Sequence, residues 1–298
     1  VAAAVIAGIV VSSGIPAYAA RWDIARGDIT VEAGGAGGTN KVTQGETTKE
    51  DTDTVITGES DKSTVTIDTS KGDVDVTFDD LKIDVSGKTE VDGSGDGSTR
   101  ESNAAVTVQG DHDATIELDG KNELKSGGYH AGLEKNDEMS EDGETISGTL
   151  TIKDDKGKDG SLTAEGGDDG AGIGGGIGST GSSITIRGGA VEAVGGSNAA
   201  GIGDGAGPWS EPDPDTPPSN PSNPNNIIIC GDAEVTAKAG SQTTDAKAPA
   251  IGGKYGEVPT ENLSDEEHKV TGGRLTRLNA DGTVMEGMGY DYTSTPTP

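Results

Sequence analysis

Short segments of alternating apolar and polar residues run through most of the chain, each bracketed by turn residues. Leu150-Thr151-Ile152, Ile184-Thr185-Ile186 and Val191-Glu192-Ala193 are representative. Alternation over three to five residues with Gly, Asp or Ser at both ends is the mark of a half-buried β-strand. After the first twenty residues no stretch spaces its apolar positions at 3.6 residues between helix caps. The pattern therefore predicts an all-β chain.

The strands recur. Asp73-Val74-Asp75-Val76-Thr77-Phe78-Asp79 matches Asp113-Ala114-Thr115-Ile116-Glu117-Leu118-Asp119 at an offset of 40, and the same offset pairs Ser86-Gly87 with Ser126-Gly127. A second unit occurs three times. Leu150-Thr151-Ile152 leads to Leu162-Thr163-Ala164 and then Ala171-Gly172-Ile173-Gly174. Ile184-Thr185-Ile186 leads to Val191-Glu192-Ala193 and Ala200-Gly201-Ile202-Gly203. Ile227-Ile228-Ile229 leads to Val235-Thr236-Ala237 and Ala250-Ile251-Gly252-Gly253. Strands this short cannot fill a sandwich, but in a solenoid each coil needs few inward aliphatics because its neighbours complete the core. Glycines at the corners allow tight turns and close backbone approach. The expected architecture is a right-handed parallel β-helix over residues 20–256.

Composition tightens this picture. Gly fills 50 of 298 positions, and Leu, Ile, Val and Phe together also fill 50, or 17%. That lies below the roughly 20% at which a highly charged chain is expected to stay disordered. Burying one aliphatic side chain returns about 1.5–3 kcal/mol, while ordering one residue's backbone costs about 1–2 kcal/mol. Order is therefore expected where the repeats are dense, from about Thr54 to Gly256. Asp92 to Ser102 and the Pro-rich run 207–225 read as excursions. Residues 257–298 read as an irregular segment leading to a Thr/Pro-rich stalk, with a hairpin turn at Leu278 to Val284.

The first eleven residues are small and aliphatic, and Ala17-Tyr18-Ala19 closes them. This is the pattern of a secretory signal peptide over residues 1–19, too short to span a bilayer. The chain is thus expected to be secreted or displayed at a cell surface, as part of a longer precursor, with no membrane insertion of the mature domain. Cys230 stands alone, so no internal disulfide forms. Acids outnumber bases 52 to 22, for a net charge of −30. Such a field repels phosphate and excludes nucleic acid as a partner.

The run Ile116-Glu117-Leu118-Asp119-Gly120-Lys121-Asn122-Glu123-Leu124, followed by Gly148 to Ile152 and Gly160 to Ala164, resembles secreted bacterial carbohydrate-binding domain-containing proteins. Trp22 to Val31 resembles their opening strands. The resemblance implies a right-handed parallel β-helix like that of polysaccharide lyases, plant-type or cell-surface polysaccharide as ligand, and calcium in some members. Calcium-binding relatives carry Asp-Gly-Ile elements where this chain has Ala171-Gly172-Ile173, Ala200-Gly201-Ile202 and Pro249-Ala250-Ile251, so those sites do not transfer. The chain is closer to a subgroup marked by Ala-Gly-Ile-Gly-Gly.

Calcium enters on other grounds. Coils stack about 4.8 Å apart, and like charges at that distance repel by roughly 1–3.5 kcal/mol. Asp168, Asp169 and Asp204 flank the Ala-Gly-Ile-Gly corners, and Asp79, Asp80 and Asp119 share the 40-residue register. These are the candidate oxygen ligands for a hard cation; the bland alternative is a solvated acidic face. Tyr129, Trp209 and Tyr255 adjoin turns and are the candidate platforms for a sugar ring, against the alternative of corner packing. Gly172 to Gly176 lacks the Lys-Ser/Thr of a phosphate loop. No nucleophile motif surrounds the three histidines. The leading expectation is a non-catalytic carbohydrate-binding or adhesive module. A calcium-dependent polysaccharide lyase using Arg187 as base, or a structural spacer of a larger surface protein, are the alternatives.

Overall fold

A computed structural model describes residues 20–35, 38–87, 102–139, 145–207, 226–241, 248–253, 256–257, 269–285 and 290–291. The signal segment 1–19, nearly all of the two excursions, Trp209, Tyr255 and the Thr/Pro tail lie outside the described residues. The described chain is all-β and solenoid-like. It contains no α-helix, and a 3-10 turn at Ile24–Arg26 is its one described helical element.

Each coil crosses three faces in turn. The first face stacks Ala114–Asp119, Leu150–Lys153, Ile184–Ile186, Ile227–Ile229 and Lys269–Val270 in parallel. The second stacks Lys121–Lys125, Ser161–Glu165, Ala190–Val194, Glu234–Lys238 and Arg274–Leu278. The third runs from Ile29–Ala33 through Val65–Asp68, Val106–Gln109, Leu133–Lys135, Ile173–Gly174 and Ile202–Gly203 to Ile251–Gly253. The first two faces form one sheet because the long strand Val74–Asp84 bridges them. It pairs with Ala114–Asp119 by its first half and with Lys121–Lys125 by its second.

The repeats seen in the sequence are the register of the coils. Val74 to Asp79 pair with Ala114 to Asp119 at the offset of 40. The three triads of the second unit align column by column: Leu150, Ile184 and Ile227; Leu162, Val191 and Val235; Ile173, Ile202 and Ile251. The expected match of Ser86-Gly87 with Ser126-Gly127 is off by one residue, since Asp84 pairs with Lys125. Gly120 (φ +61°) occupies the corner between the two faces and lets the chain gain a residue there.

Alternation places one side chain in two inside. Ile116, Ile152, Ile186 and Ile229 are buried beneath the first face, and Leu133, Ile173, Ile202 and Ile251 beneath the third. Between the first two faces sits Asn122, fully buried and fully satisfied. Its Oδ1 accepts from the Leu81 amide, and its Nδ2 donates to the carbonyls of Asp119 and Ser161.

The ladder begins earlier than the repeats indicate. Arg21–Asp23 pairs with Thr54–Ser60, and Trp22, Ile24, Ile29 and Val31 are buried against the first coils. Antiparallel strands cap the third face at both ends and the second face at its C-terminal end. Asn40–Gln44 pairs with Ile29–Ala33 and in turn with Thr47–Asp51; Gly256–Glu257 pairs with Ile251–Gly253, and Tyr290–Asp291 with Arg274–Leu278. Unpaired parallel edges template aggregation, so such caps protect a solenoid. The hairpin turn expected at Leu278 is present, with Leu278 bridged to Val284 and the Asn279 amide bonded to the Thr283 carbonyl.

Candidate functional site

Where the second face turns towards the third, successive coils read Ser126-Gly127-Gly128-Tyr129, Gly166-Gly167-Asp168-Asp169, Gly195-Gly196-Ser197-Asn198 and Ala239-Gly240-Ser241. The glycine in second place in the later three sets has no room for a side chain. A Cβ on Gly167 would fall 2.0 Å from the Gly127 carbonyl oxygen, one on Gly196 1.7 Å from that of Gly167, and one on Gly240 1.6 Å from that of Gly196. These glycines exist because coils stack closest here. Two positions on, Tyr129, Asp169 and Asn198 adopt left-handed φ of 74°, 64° and 60°, a conformation Asp and Asn tolerate better than most residues.

The corner indents the surface as a trough of about 600 Å³ running from Ser86 to Ala280. Six coils contribute, so at about 4.8 Å per coil it extends roughly 24 Å along the stack. Its wall on the second face is one register column, in which Asp84, Lys125, Glu165, Val194 and Lys238 follow in order. Lys125 Nζ lies 2.8 Å from Glu165, and that bond lifts the lysine pKa above its ordinary value. Asp84 sits below its usual range because Ser86 donates to it. On the other wall Ser197 Oγ donates to Asp168 at 3.2 Å and lies 3.3 Å from Ser241 Oγ. The lining combines serine hydroxyls, bare glycine backbone, the Lys125–Glu165 ion pair, Lys238 and Asp168 with the apolar Val194, Ala239 and Ala280: a mainly polar surface that can exchange hydrogen bonds with a polyol.

A second groove of about 350 Å³ lies over the first face. Asp75, Thr115 and Thr151 form its floor in one column. Glu117 is buried beside them. Its Oε1 accepts from the Asp155 and Lys156 amides at 2.7 and 2.6 Å, and Lys153 Nζ lies 3.3 Å from Oε2. Lys156 reaches across to Asp53 and Thr77, and Arg187 borders the groove 3.8 Å from Asp155.

The residues singled out in the sequence fall as follows. Tyr129 is half-buried beside the trough, its backbone N–H bonded to the Asp168 carbonyl at 2.6 Å. Asp168 lines the trough. Asp169 accepts from Asn198 Nδ2 at 3.2 Å. Asp204 is buried in the next corner, accepting the Gly181 amide. Asp79 and Asp119 are cross-coil neighbours as expected, but Asp79 is paired with Arg21 at 2.5 Å and Asp80 accepts the Lys121 amide. Among the described residues no three carboxylate, His or Cys side chains gather to hold a metal. The six aspartates do not fit a calcium site as a set. Each of these aspartates except Asp119 is engaged by a cation, a side-chain donor or a backbone amide. Lys125, Glu165, Lys238, Ser197 and Ser241 were not singled out in the sequence. Their signal was position: each follows a repeated strand triad or a corner glycine pair.

Compared with protein-family models, with curated proteins and with solved structures, the chain matches none.

Proposed function

We propose that this protein is a right-handed parallel β-helix that serves as a non-catalytic, secreted or surface-displayed module binding polysaccharide along the corner trough. Right-handedness follows from the strong preference of parallel β-crossover-β connections for that hand. The observation that carries the function is the trough itself. Polar groups recur in it at the coil repeat, a length close to one pyranose ring, and a chain of sugars lying along the stack meets a similar surface at each step. Hydroxyl-rich ligands are held by many modest hydrogen bonds, often water-mediated, in open grooves of this kind. The resemblance of the LDGKNEL and LTI/LTA motifs to carbohydrate-binding β-helix proteins points the same way.

The test is retention on insoluble polysaccharides and a glycan array, with and without chelator. Binding of at least one glycan is expected, reduced at least about tenfold, or 1.4 kcal/mol, by Ser197→Trp, which fills the trough. Absence of retention on every glycan, or unchanged binding by the variant, overturns the proposal. A second reading has one specific observation behind it: Arg187 borders the groove over the first face together with Lys153, Lys156 and buried Glu117. A polysaccharide lyase there would release unsaturated uronides absorbing in the ultraviolet, and Arg187→Ala would abolish them. Silence on acidic glycans removes that reading.

A further inference from the structure

We infer that His130 and Glu134 form a pH-sensitive latch behind the wall of the trough, closed in acid and loosened as the medium turns alkaline. The inference rests on the trough being the ligand site.

His130 Nδ1 lies 2.8 Å from Glu134 Oε2. The same oxygen accepts the Ala131 amide at 3.1 Å, and Oε1 accepts from Asn136 Nδ2 at 3.2 Å. The glutamate side chain is only 6% exposed while the imidazole is 32% exposed. Water therefore exchanges protons with the ring, and the carboxylate depends on the ring for its counter-charge. A buried carboxylate whose partner loses its charge is costly.

This pair braces two segments at once. On one side the His130 carbonyl accepts the Gly167 amide at 3.0 Å, and Gly167 and Gly128 line the trough. On the other, Asn136 Oδ1 accepts the Gly176 amide and the Tyr129 carbonyl accepts that of Ile177. Gly176 packs so closely that a Cβ there would lie 2.7 Å from Glu134 Oε2. Any shift of the glutamate is thereby felt by the trough wall and by the segment packed behind it.

The surrounding charges leave Glu134 as the partner that decides the titration. On the coil stacked next to His130, Asp168 is bonded to Ser197 and Asp169 to Asn198. Lys125 and Glu165 in the trough compensate each other. Segment 173–183 carries no titratable side chain, and neither does 102–105 on the preceding coil. On its own strand, Lys135 is occupied with Asp137, Ser147 and Ser182. The hydrogen bond to Glu134 raises the His130 pKa above its ordinary 6.5, outweighing burial, which lowers it. A raised folded-state pKa means that the stabilisation is complete below about 6.5 and is lost as pH climbs through the raised value.

The experiment compares the wild type with His130→Gln and Glu134→Gln, following imidazole C–H and backbone amide resonances by NMR and glycan retention from about pH 6 to pH 9. In the wild type His130 should titrate above 6.5, with the Gly128 and Gly167 amides moving at the same midpoint. Retention should fall several-fold across that same midpoint. Both variants should give a flat retention profile, and Glu134→Gln should return the His130 midpoint towards 6.5. A midpoint at or below 6.5 in the wild type, or a His130→Gln profile that follows the wild type, overturns the latch. If no glycan is retained at any pH while ring and trough amides titrate together, the glycan reading alone fails and the latch stands.

Discussion

Replacing Gly196 by alanine tests the stacking of the corner more directly than any core truncation. The new Cβ would lie 1.7 Å from the Gly167 carbonyl oxygen and 2.6 Å from its carbon. Such atoms do not approach closer than about 3 Å, so the two coils must part locally by more than 1 Å. The hydrogen bonds holding these two coils together here are those of the Gly196 amide to the Gly170 carbonyl, the Gly166 amide to the Val194 carbonyl and the Asp169 amide to the Ser197 carbonyl, at 2.9, 2.9 and 3.1 Å. Losing two or three of these at about 1 kcal/mol each, with some packing, gives a cost of about 2–4 kcal/mol. For a folded unit of this size each kcal/mol moves the melting point by about 2–4 °C, so the variant should melt roughly 5–15 °C below the wild type. Gly35→Ala supplies the control, because its Cβ meets no described neighbour within 4 Å. There the smaller entropy of the unfolded chain should stabilise by about 0.4–1 kcal/mol. Thermal unfolding followed by circular dichroism reads both. If Gly196→Ala melts within about 2 °C of the wild type, the close coil contact on which the trough depends is wrong.

Three further outcomes follow from single residues. Lys135→Met should cost about 3–5 kcal/mol in urea unfolding by stranding buried Asp137, and adding Asp137→Asn should recover part of the loss; equal stability of the single variant would contradict the buried pair. Phe78, the one phenylalanine and fully buried, should lose about 3–5 kcal/mol on truncation to alanine, and a loss under about 1 kcal/mol would place it outside the core. Calcium against chelator should leave the melting point unchanged within about 2 °C, because a ligand stabilises only through a site it fills; a rise of several degrees would show that carboxylates assemble around the ion.

The repeats carried most of the fold. A period of 40 and a triad recurring three times anticipated the register of Val74 to Asp79 on Ala114 to Asp119 and of the three later coils on one another, because in a solenoid self-similarity and contact are the same thing. What they missed lay where similarity stops. Residues 21–51 have no repeated counterpart, so the capping strands and burial of Trp22 and Ile24 were invisible to a comparison of the chain with itself. The one-residue slip after Asp79 was hidden because Ser-Gly recurs at the offset of 40 while the strands there pair at 41. The site was less legible. Tyr129 and Asp168 were reached through local pattern, but the trough wall of Lys125, Glu165 and Lys238 is a property of a column, and a column exists only once coils are stacked. Glu134 and His130 are four residues apart, yet nothing in their sequence shows that one is buried and the other half-open.

The charge is where stacking changes the argument most. A net charge of −30 on coils about 4.8 Å apart creates a need for counter-charge between them. The outward columns remove much of that need. Thr77, Glu117 and Lys153 are neighbours on the first face, with Arg187 beyond them; Lys82, Glu123 and Thr163 are neighbours on the second, as are Lys125 and Glu165. In these columns an acid meets a base or a hydroxyl across the coil step; two acids meet at Asp79 and Asp119, where Arg21 covers the first, and at Glu32 and Asp68, where Lys41 and Lys71 cover the first. Opposite charges in adjacent strands attract by roughly the amount that like charges would repel. With 22 basic residues against 52 acidic ones, placing bases within acid columns lowers repulsion where it is strongest, while salt screens solvent-facing acids beyond about 8 Å. The order of charges along the sequence thus lowers cross-coil repulsion from within the chain itself.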